Sequence, residues 1–387
     1  MFYYRYRPST EISFKEFLYN EIFFSSTAEA NDPFDSNTFF EFPNDPSQWK
    51  KILELVFKDF QGLNNFIDLN RLSNEISQRC PFSFKFILSN DFKKFFADIL
   101  TNMQITINQN LFDNLITVLV NFFKLYSAPQ SYFVSFSKSK KESLMWSHYA
   151  SKHEGFCLIF KAIDGKLNQS YEMKKTSVSR NPKDSVFPIS WAIPEKLQFH
   201  DVHYVPQTKP LNAFLCLPEC IINKEPSKDE INQYNKDKFD QYLQKHVSWS
   251  YENESRIIMT QPIPWLCGHI EFTIQERLLY YEPTQLVGII FGSRMTDTNK
   301  QRLRDIIKER QIRIMKSSYN RTIFNFVVFQ AKLSFVSREV IIEPIEIYDL
   351  ARSYNKDDKE FRQFYKNWFL GKGLCIDGNS YSSVQIK

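Results

Sequence analysis

The sequence predicts an α+β protein: a mixed, mainly antiparallel β-sheet that carries a Phe-rich helical insertion and one βαβ-like unit. Three observations lead there. Short runs rich in β-branched and aromatic residues lie near both ends of the chain, among them FYYRYR at 2–7, SYFVSFS at 131–137 and EVIIEPIEIY at 339–348. Between the first two, apolar residues recur at three- and four-residue steps, the period of a helix. Finally, LVGIIFGSRM is followed by the helical pattern RLRDIIKERQ and by IRIMKS, which is expected to be a further strand.

Taken in order, Tyr4 and Tyr6 share one face of the first strand and Arg5 and Arg7 the other, with Pro8 ending the run. EFLYNEIFFSS gives a short helix running into a second strand, and AEANDPFDS a turn-rich acidic loop. There Asn31, Asp32 and Asp35 either fold back on their own backbone or face a ligand. The stripes Trp49–Ile52–Leu53–Val56–Phe57–Phe60, Phe92–Phe95–Phe96–Ile99–Leu100–Met103 and Leu111–Leu115–Ile116–Leu119–Phe123 are core faces of helices. The organisation expected is therefore 1–46 as the start of the core sheet, 47–127 as the insertion, 128–330 as the main core with the site, and 331–387 as C-terminal strands and tail. KEFRQFYKNWF reads as a docking helix, with the last fifteen or so residues disordered.

The chain of 387 residues, 43% hydrophobic, is long enough for a substantial core and predicts a folded, soluble protein. Its net charge of +5 is spread among interspersed acids and bases, which argues against a dedicated nucleic-acid binder. With 38 Phe and 19 Tyr against 9 Gly, little chain is left for phosphate-cradling loops. The six cysteines are scattered and His200, His203 and His246 show no ligand spacing, so buried thiols are expected rather than a zinc site, and no metal. No signal-like N-terminus and no apolar run of membrane length is present, which predicts a cytoplasmic protein without a membrane partner. P-loop, nucleophile-elbow and His-Glu-x-x-His signatures are absent.

The most unusual chemistry lies at 131–160, where two expected core strands flank LMWSHYA with Trp146, His148 and Tyr149. A second concentration is VSWSYENESRIIMT at 247–260. As an extended strand it would project Glu252, Glu254 and Arg256 from one face, as a structural salt bridge or as the wall of an active site.

Five landmarks in this order resemble a bacterial family, domain of unknown function 2971: YRYR at 4–7, NDPFD at 31–35, SFS at 135–137, MWSHY at 145–149 with Gly155, and WSYENESR at 249–256. The resemblance spans roughly residues 1–330; Ala30 stands where the family often has Phe. A looser similarity, in the order arginine strand, serine strand, Glu-x-Glu strand, is to ADP-ribosyltransferases. It implies NAD as a substrate, with Arg5, or else Arg7, on the phosphates, and Ser135 or Ser137 at the nicotinamide ribose. Tyr149 or Trp146 would stack on a ring, Glu254 would be the catalytic carboxylate and Glu252 would position an unknown protein or nucleic-acid acceptor. A carboxylate aimed at the sugar would stabilise the positive charge that develops there. Two other readings stay open: a ligand sensor or defence-associated interaction protein that binds a nucleotide-like molecule without turnover, and a metal-dependent hydrolase or nuclease using Asp32, Asp35, His148 and the paired glutamates. The predicted site gathers Arg5, Asn31, Asp32, Asp35, Ser135, Ser137, Trp146, His148, Tyr149, Glu252, Glu254 and Arg256.

Overall fold

The structure is a computed structural model, which describes all residues except 59, 61–65, 128–130, 181–188, 219–220, 222–226, 261–270, 318–320, 378–379 and 386–387. Its centre is a ten-stranded sheet built from β1 (Phe2–Arg7), β2 (Ser25–Ser26), β3 (Ser131–Ser137), β4 (Phe156–Lys161), β5 (His200–Asp201), β6 (Glu254–Thr260), β7 (Leu286–Phe291), β8 (Phe326–Ser334), β9 (Glu339–Asp349) and β10 (Arg352–Asn355). The spatial order is β5-β6-β3-β1-β4-β7-β8-β9-β10, with β2 added beside β3. All these pairings are antiparallel except β7 with β8, which run parallel. The longer helices are α1 (Glu11–Tyr19), α2 (Pro46–Phe57), α3 (Leu69–Ser77), α4 (Asn90–Asn102), α5 (Gln109–Tyr126), α6 (Ser143–Tyr149), α7 (Lys228–Tyr242), α8 (Asp297–Lys316) and α9 (Phe361–Phe369). This is an α+β fold.

Alternation along the strands divides the sheet's contacts in two. On one face Tyr3, Val134, Phe136, Leu158, Phe160 and Ile257 pack with Phe14 and Phe17 of α1 and Leu303, Ile306 and Ile307 of α8. On the other, Tyr4, Tyr6, Cys157, Ile159, Ile290 and Phe329 meet Met145 and Trp146 of α6 and Phe361 and Trp368 of α9. Gly155 and Gly292 let the ends of β4 and β7 approach neighbouring backbone: a side chain would meet the Arg7 carbonyl at 2.2 Å and the His153 carbonyl at 2.1 Å, respectively.

Helices α2 to α5 close on a core of their own, with Trp49, Phe42, Phe92, Phe96, Leu115 and Phe123 fully buried and Phe214 packed among them. Asp45 caps α2 by accepting from the backbone N–H groups of Ser47 and Gln48, and Pro46 stands at the first helical position. Among the described residues no helix is long and apolar enough to cross a membrane.

Three expectations are corrected. IRIMKS is not a strand; α8 continues through it to Lys316, because the buried stripe Leu303, Ile306, Ile307, Arg310 and Ile314 keeps a helical period past Gln311. Residues 247–252 are two turns of 3₁₀ helix rather than strand, and Asn253 turns the chain into β6 with a φ of +43°. The C-terminal stretch, expected to be disordered, pairs as two strands, Lys372–Asp377 and Ser380–Gln385, the first against Arg321–Phe324. Of the six cysteines, Cys220 and Cys267 lie outside the described residues; the other four are free.

Candidate functional site

Across the β6–β3 ladder Glu254 opposes Ser137 and Arg256 opposes Ser135, and from β1 Tyr4 opposes Ser137. Directly opposed residues of antiparallel strands share a face. Glu254, Arg256, both serines and Tyr4 therefore project to one side, and a buried ionic cluster is built there.

Arg256 is its hub and is fully buried. Its Nε lies 2.7 Å from Glu254 Oε1 and its Nη2 2.8 Å from Oε2, a bidentate pair, while Nη2 is also 2.6 Å from Asp35 Oδ1. Its Nη1 donates to Ser36 Oγ at 2.8 Å and to the Tyr242 carbonyl at 3.1 Å. Lys245 completes the cluster: Nζ lies 2.6 Å from Glu252 Oε2, 3.2 Å from Asp35 Oδ2 and 3.4 Å from Glu254 Oε2. The Tyr149 hydroxyl donates to the other oxygen of Glu252 at 2.5 Å.

Each member is placed by local structure. Asp32 Oδ1 accepts from the Phe34 N–H at 3.0 Å, and the Asp35 N–H donates to the Asp32 carbonyl, so the NDPFD loop folds on itself and delivers Asp35 inward. Ser131 Oγ on β3 donates to the Ser36 carbonyl at 3.1 Å and ties that loop to the sheet. Ser137 Oγ donates to the Glu252 carbonyl at 2.7 Å, which fixes the 3₁₀ turn against β3. The Glu254 N–H donates to the Tyr204 hydroxyl at 2.8 Å.

Three carboxylates face two cations in a buried space, and the protonation equilibria follow. For Glu254, burial works to raise the pKa, but the charge and hydrogen bonds of Arg256, joined by Lys245, outweigh it and bring the group down to about 2. For Glu252, burial and then the Glu254 charge, opposed by Lys245, leave the pKa raised. Burial, with the Glu252 charge second, drives the Tyr149 hydroxyl well above its ordinary value. Lys245 is held in its charged form against the pull of burial, chiefly by Glu254 and Asp35.

The cluster forms part of the wall of a cleft of about 1410 Å³ between the NDPFD loop, the helical unit and residues 242–249. Lys245, Ser36 and Tyr242 belong to both. The cleft is lined with rings (Phe34, Phe39, Phe40, Phe84, Trp249) and with hydroxyls (Thr27, Thr38, Ser83, Ser131, Thr208, Ser248). The Lys245 ammonium stands 4.9 Å from the centre of the Trp249 ring. Gln244 and Tyr242 also line it, and each carries a buried oxygen without a hydrogen-bond partner among the described residues.

The structure brings together Asp35, Ser135, Ser137, Tyr149, Glu252, Glu254 and Arg256, with Asn31 bonding to Tyr149 from the loop. It separates the rest. Arg5 and Arg7 project from the opposite face of the sheet, where Arg7 pairs with Glu16 of α1 at 2.5 Å and Arg5 acts on Tyr281. Alternation from Tyr4, whose face the register fixes, puts them there. Trp146 is fully buried, edge-on to Tyr6 at 5.1 Å, with its indole N–H donating to the Lys140 carbonyl, and so presents no ring to a ligand. His148 is exposed on α6, its ring 6.3 Å from Tyr251, with no hydrogen bond or ion pair to the carboxylates among the described residues. Asp32 lines the cleft but stands outside the ionic cluster, its Oδ1 accepting from the Phe34 N–H. Among the described residues no group of three or more His, Cys, Asp or Glu side chains is arranged to hold a metal ion.

Residues 145–257, from the start of MWSHY to just past Arg256, match a family model described as a protein of unknown function (DUF2971). Through this segment the chain is similar to the DUF2971 family. The matched stretch supplies Tyr149, Lys245, Glu252, Glu254 and Arg256 of the cluster, and three landmarks outside it fold onto this segment: Tyr4 opposite Ile159, Asp35 on Arg256, and the serine strand along β6. No curated protein and no solved structure matches the chain.

Lys245, Ser36 and Tyr242 were not singled out by sequence. Lys245 stands in QKHVS just before the Trp249 motif; its one sequence signal is a lysine two residues after the apolar Leu243 and four residues before a tryptophan.

Proposed function

We propose that this protein is a ligand-binding module whose cleft takes a nucleotide-like molecule, with the ionic cluster serving as a rigid floor rather than as reacting groups. The observation that carries this reading is the pairing of Lys245 with Trp249 at the cleft wall, because it offers an aromatic face beside a cation already fixed by three carboxylates. A purine or nicotinamide ring suits the Trp249 and Phe34 side of the cleft, and a ribose suits its hydroxyls. Small-molecule pockets run to about 300–1,000 Å³, so a cleft of about 1410 Å³ has room for a dinucleotide. A cytoplasmic setting fits four free cysteines.

ADP-ribosyl transfer is the weaker reading. It asks one arginine and one carboxylate to face the same dinucleotide, whereas Arg5 and Glu254 project from opposite faces, and Glu254 is bound bidentately to Arg256. The test is calorimetric titration with NAD, ADP-ribose and AMP, with mass spectrometry of the NAD sample. Saturable binding of at least one of them, weakened about tenfold or more by Trp249→Ala, with NAD recovered intact, is the expected result. Absence of binding by all three would overturn the proposal. Nicotinamide release that stops in Glu254→Gln would restore the transferase reading.

A further inference from the structure

The face of the sheet opposite the ionic cluster holds a second set of polar groups that the cleft does not use. Arg310, only 3% exposed, donates through Nη1 to the Phe17 carbonyl at 2.7 Å and to Asn20 Oδ1, and through Nη2 to the Pro283 carbonyl at a long 3.5 Å. Every one of these acceptors is neutral, and no carboxylate pairs with Arg310 among the described residues. An ion held in the interior without a countercharge is strongly disfavoured, and an anion that pairs with it relieves that penalty. The Tyr281 hydroxyl is a further neutral partner of Arg310, and Arg313 nearby carries a long ion pair of its own, Nη2 lying 3.7 Å from Glu309 Oε1. Arg313 lies one turn on, with Nη2 donating to the Leu18 carbonyl at 2.7 Å. The side chain of Arg5, a residue 9% exposed, has no ion pair or hydrogen bond among the described residues, and both Arg5 and Arg310 act on the buried Tyr281.

Beside Arg310 is a cavity of about 130 Å³, lined by Asn20, Ser170, Glu172, Arg310, Arg313 and Ser317 among others. At about 30 Å³ per water that is the space of roughly four waters, enough for a tetrahedral oxyanion and far too little for a nucleoside.

We infer that this cavity, between the end of α1, the C-terminal half of α8 and residues 170–173, is a binding site for a phosphate-type oxyanion, with Arg310 at its base and Arg313 beside it. The weakly engaged Nη2 of Arg310 supplies charge-assisted donors, and a guanidinium fork matches two oxygens of such an anion. Glu172 is the opposing group in the lining, its Oε1 accepting from Ser317 Oγ at 3.1 Å, and it gives the site a diagnostic sign. Removing this carboxylate strengthens anion binding, and removing Arg313 weakens it.

The test uses the full chain in phosphate-free buffer at constant ionic strength, titrated with inorganic phosphate and, separately, with glycerol 3-phosphate, and read by calorimetry and by the thermal midpoint against chloride. Saturable binding with a raised midpoint is expected, reduced about tenfold in Arg313→Ala, increased severalfold in Glu172→Gln and lost in Arg310→Met. Binding of both probes means that the free anion is recognised; binding of the monoester alone means that the anion is one group of a larger ligand, and either supports the site. No saturable binding of either probe, or affinities unchanged in both Arg313→Ala and Glu172→Gln, would overturn it. Those two variants decide the matter if Arg310→Met does not fold.

Discussion

Glu254→Gln is expected to lose about 3 to 5 kcal/mol of stability at neutral pH, whereas Glu252→Gln is expected to change it by about 1 kcal/mol or less. The contrast follows from what each change leaves behind. Without the Glu254 carboxylate, the buried Arg256 loses both arms of its bidentate pair and keeps Asp35 alone as a countercharge. Without the Glu252 charge, Lys245 still has Asp35 and Glu254, Tyr149 can donate to the amide oxygen, and three acids facing two cations become two facing two. The pH dependence adds a sign. Glu254 is lowered to about 2 from an ordinary 4.5, so its contribution is complete above about pH 4.5 and is lost as pH falls through about 2. Glu252 is raised, so its contribution is complete below about 4.5 and fades as pH rises through its folded value. Urea unfolding at pH 3, 5 and 7 should show a wild-type acid limb that Glu254→Gln flattens and Glu252→Gln does not. A Glu254→Gln protein as stable as wild type at pH 7 would remove the structural assignment and return Glu254 to the list of reacting groups.

That assignment also marks where sequence reasoning stops. Spacing was sufficient to put Glu254 and Arg256 on one face, because both lie in β6 and a strand repeats every two residues. It failed for Glu252, which reaches the same cluster from a 3₁₀ turn, since Trp249 to Glu252 carry no pattern that separates a tight helix from a strand. The arginines of YRYR were the conspicuous charges, yet the tyrosines between them share a face with the serine strand. Deciding between them needed the register of β1 against β3, and register is a long-range property that one-residue shifts invert. The helical unit was legible for the opposite reason: Trp49, Ile52, Leu53, Val56 and Phe57 are neighbours along one helix, so local periodicity contains the whole signal. Lys245 shows the limit most plainly, because its three carboxylate partners come from the NDPFD loop, a turn and a strand that only the fold assembles.

Trp146→Ala is expected to destabilise the protein by about 3 to 5 kcal/mol while leaving the ligand affinity of the folded fraction within about threefold of wild type. The side chain is wholly inside, between α6 and β1, with Tyr6 edge-on to it at 5.1 Å and His153 stacked at 6.3 Å. Its truncation leaves a cavity that these rings cannot close, and the Lys140 carbonyl loses its indole donor. Trp249 has the reverse profile. It is half-buried in the cleft wall beside Lys245, so Trp249→Ala should weaken binding with a much smaller effect on stability. Measuring both variants by chemical unfolding and by titration separates the two tryptophans, which sequence alone presents as equivalent aromatic landmarks. Affinity lost in Trp146→Ala at unchanged stability would place the ligand on α6 instead of in the cleft, and the floor provided by Lys245 would then have no part in recognition.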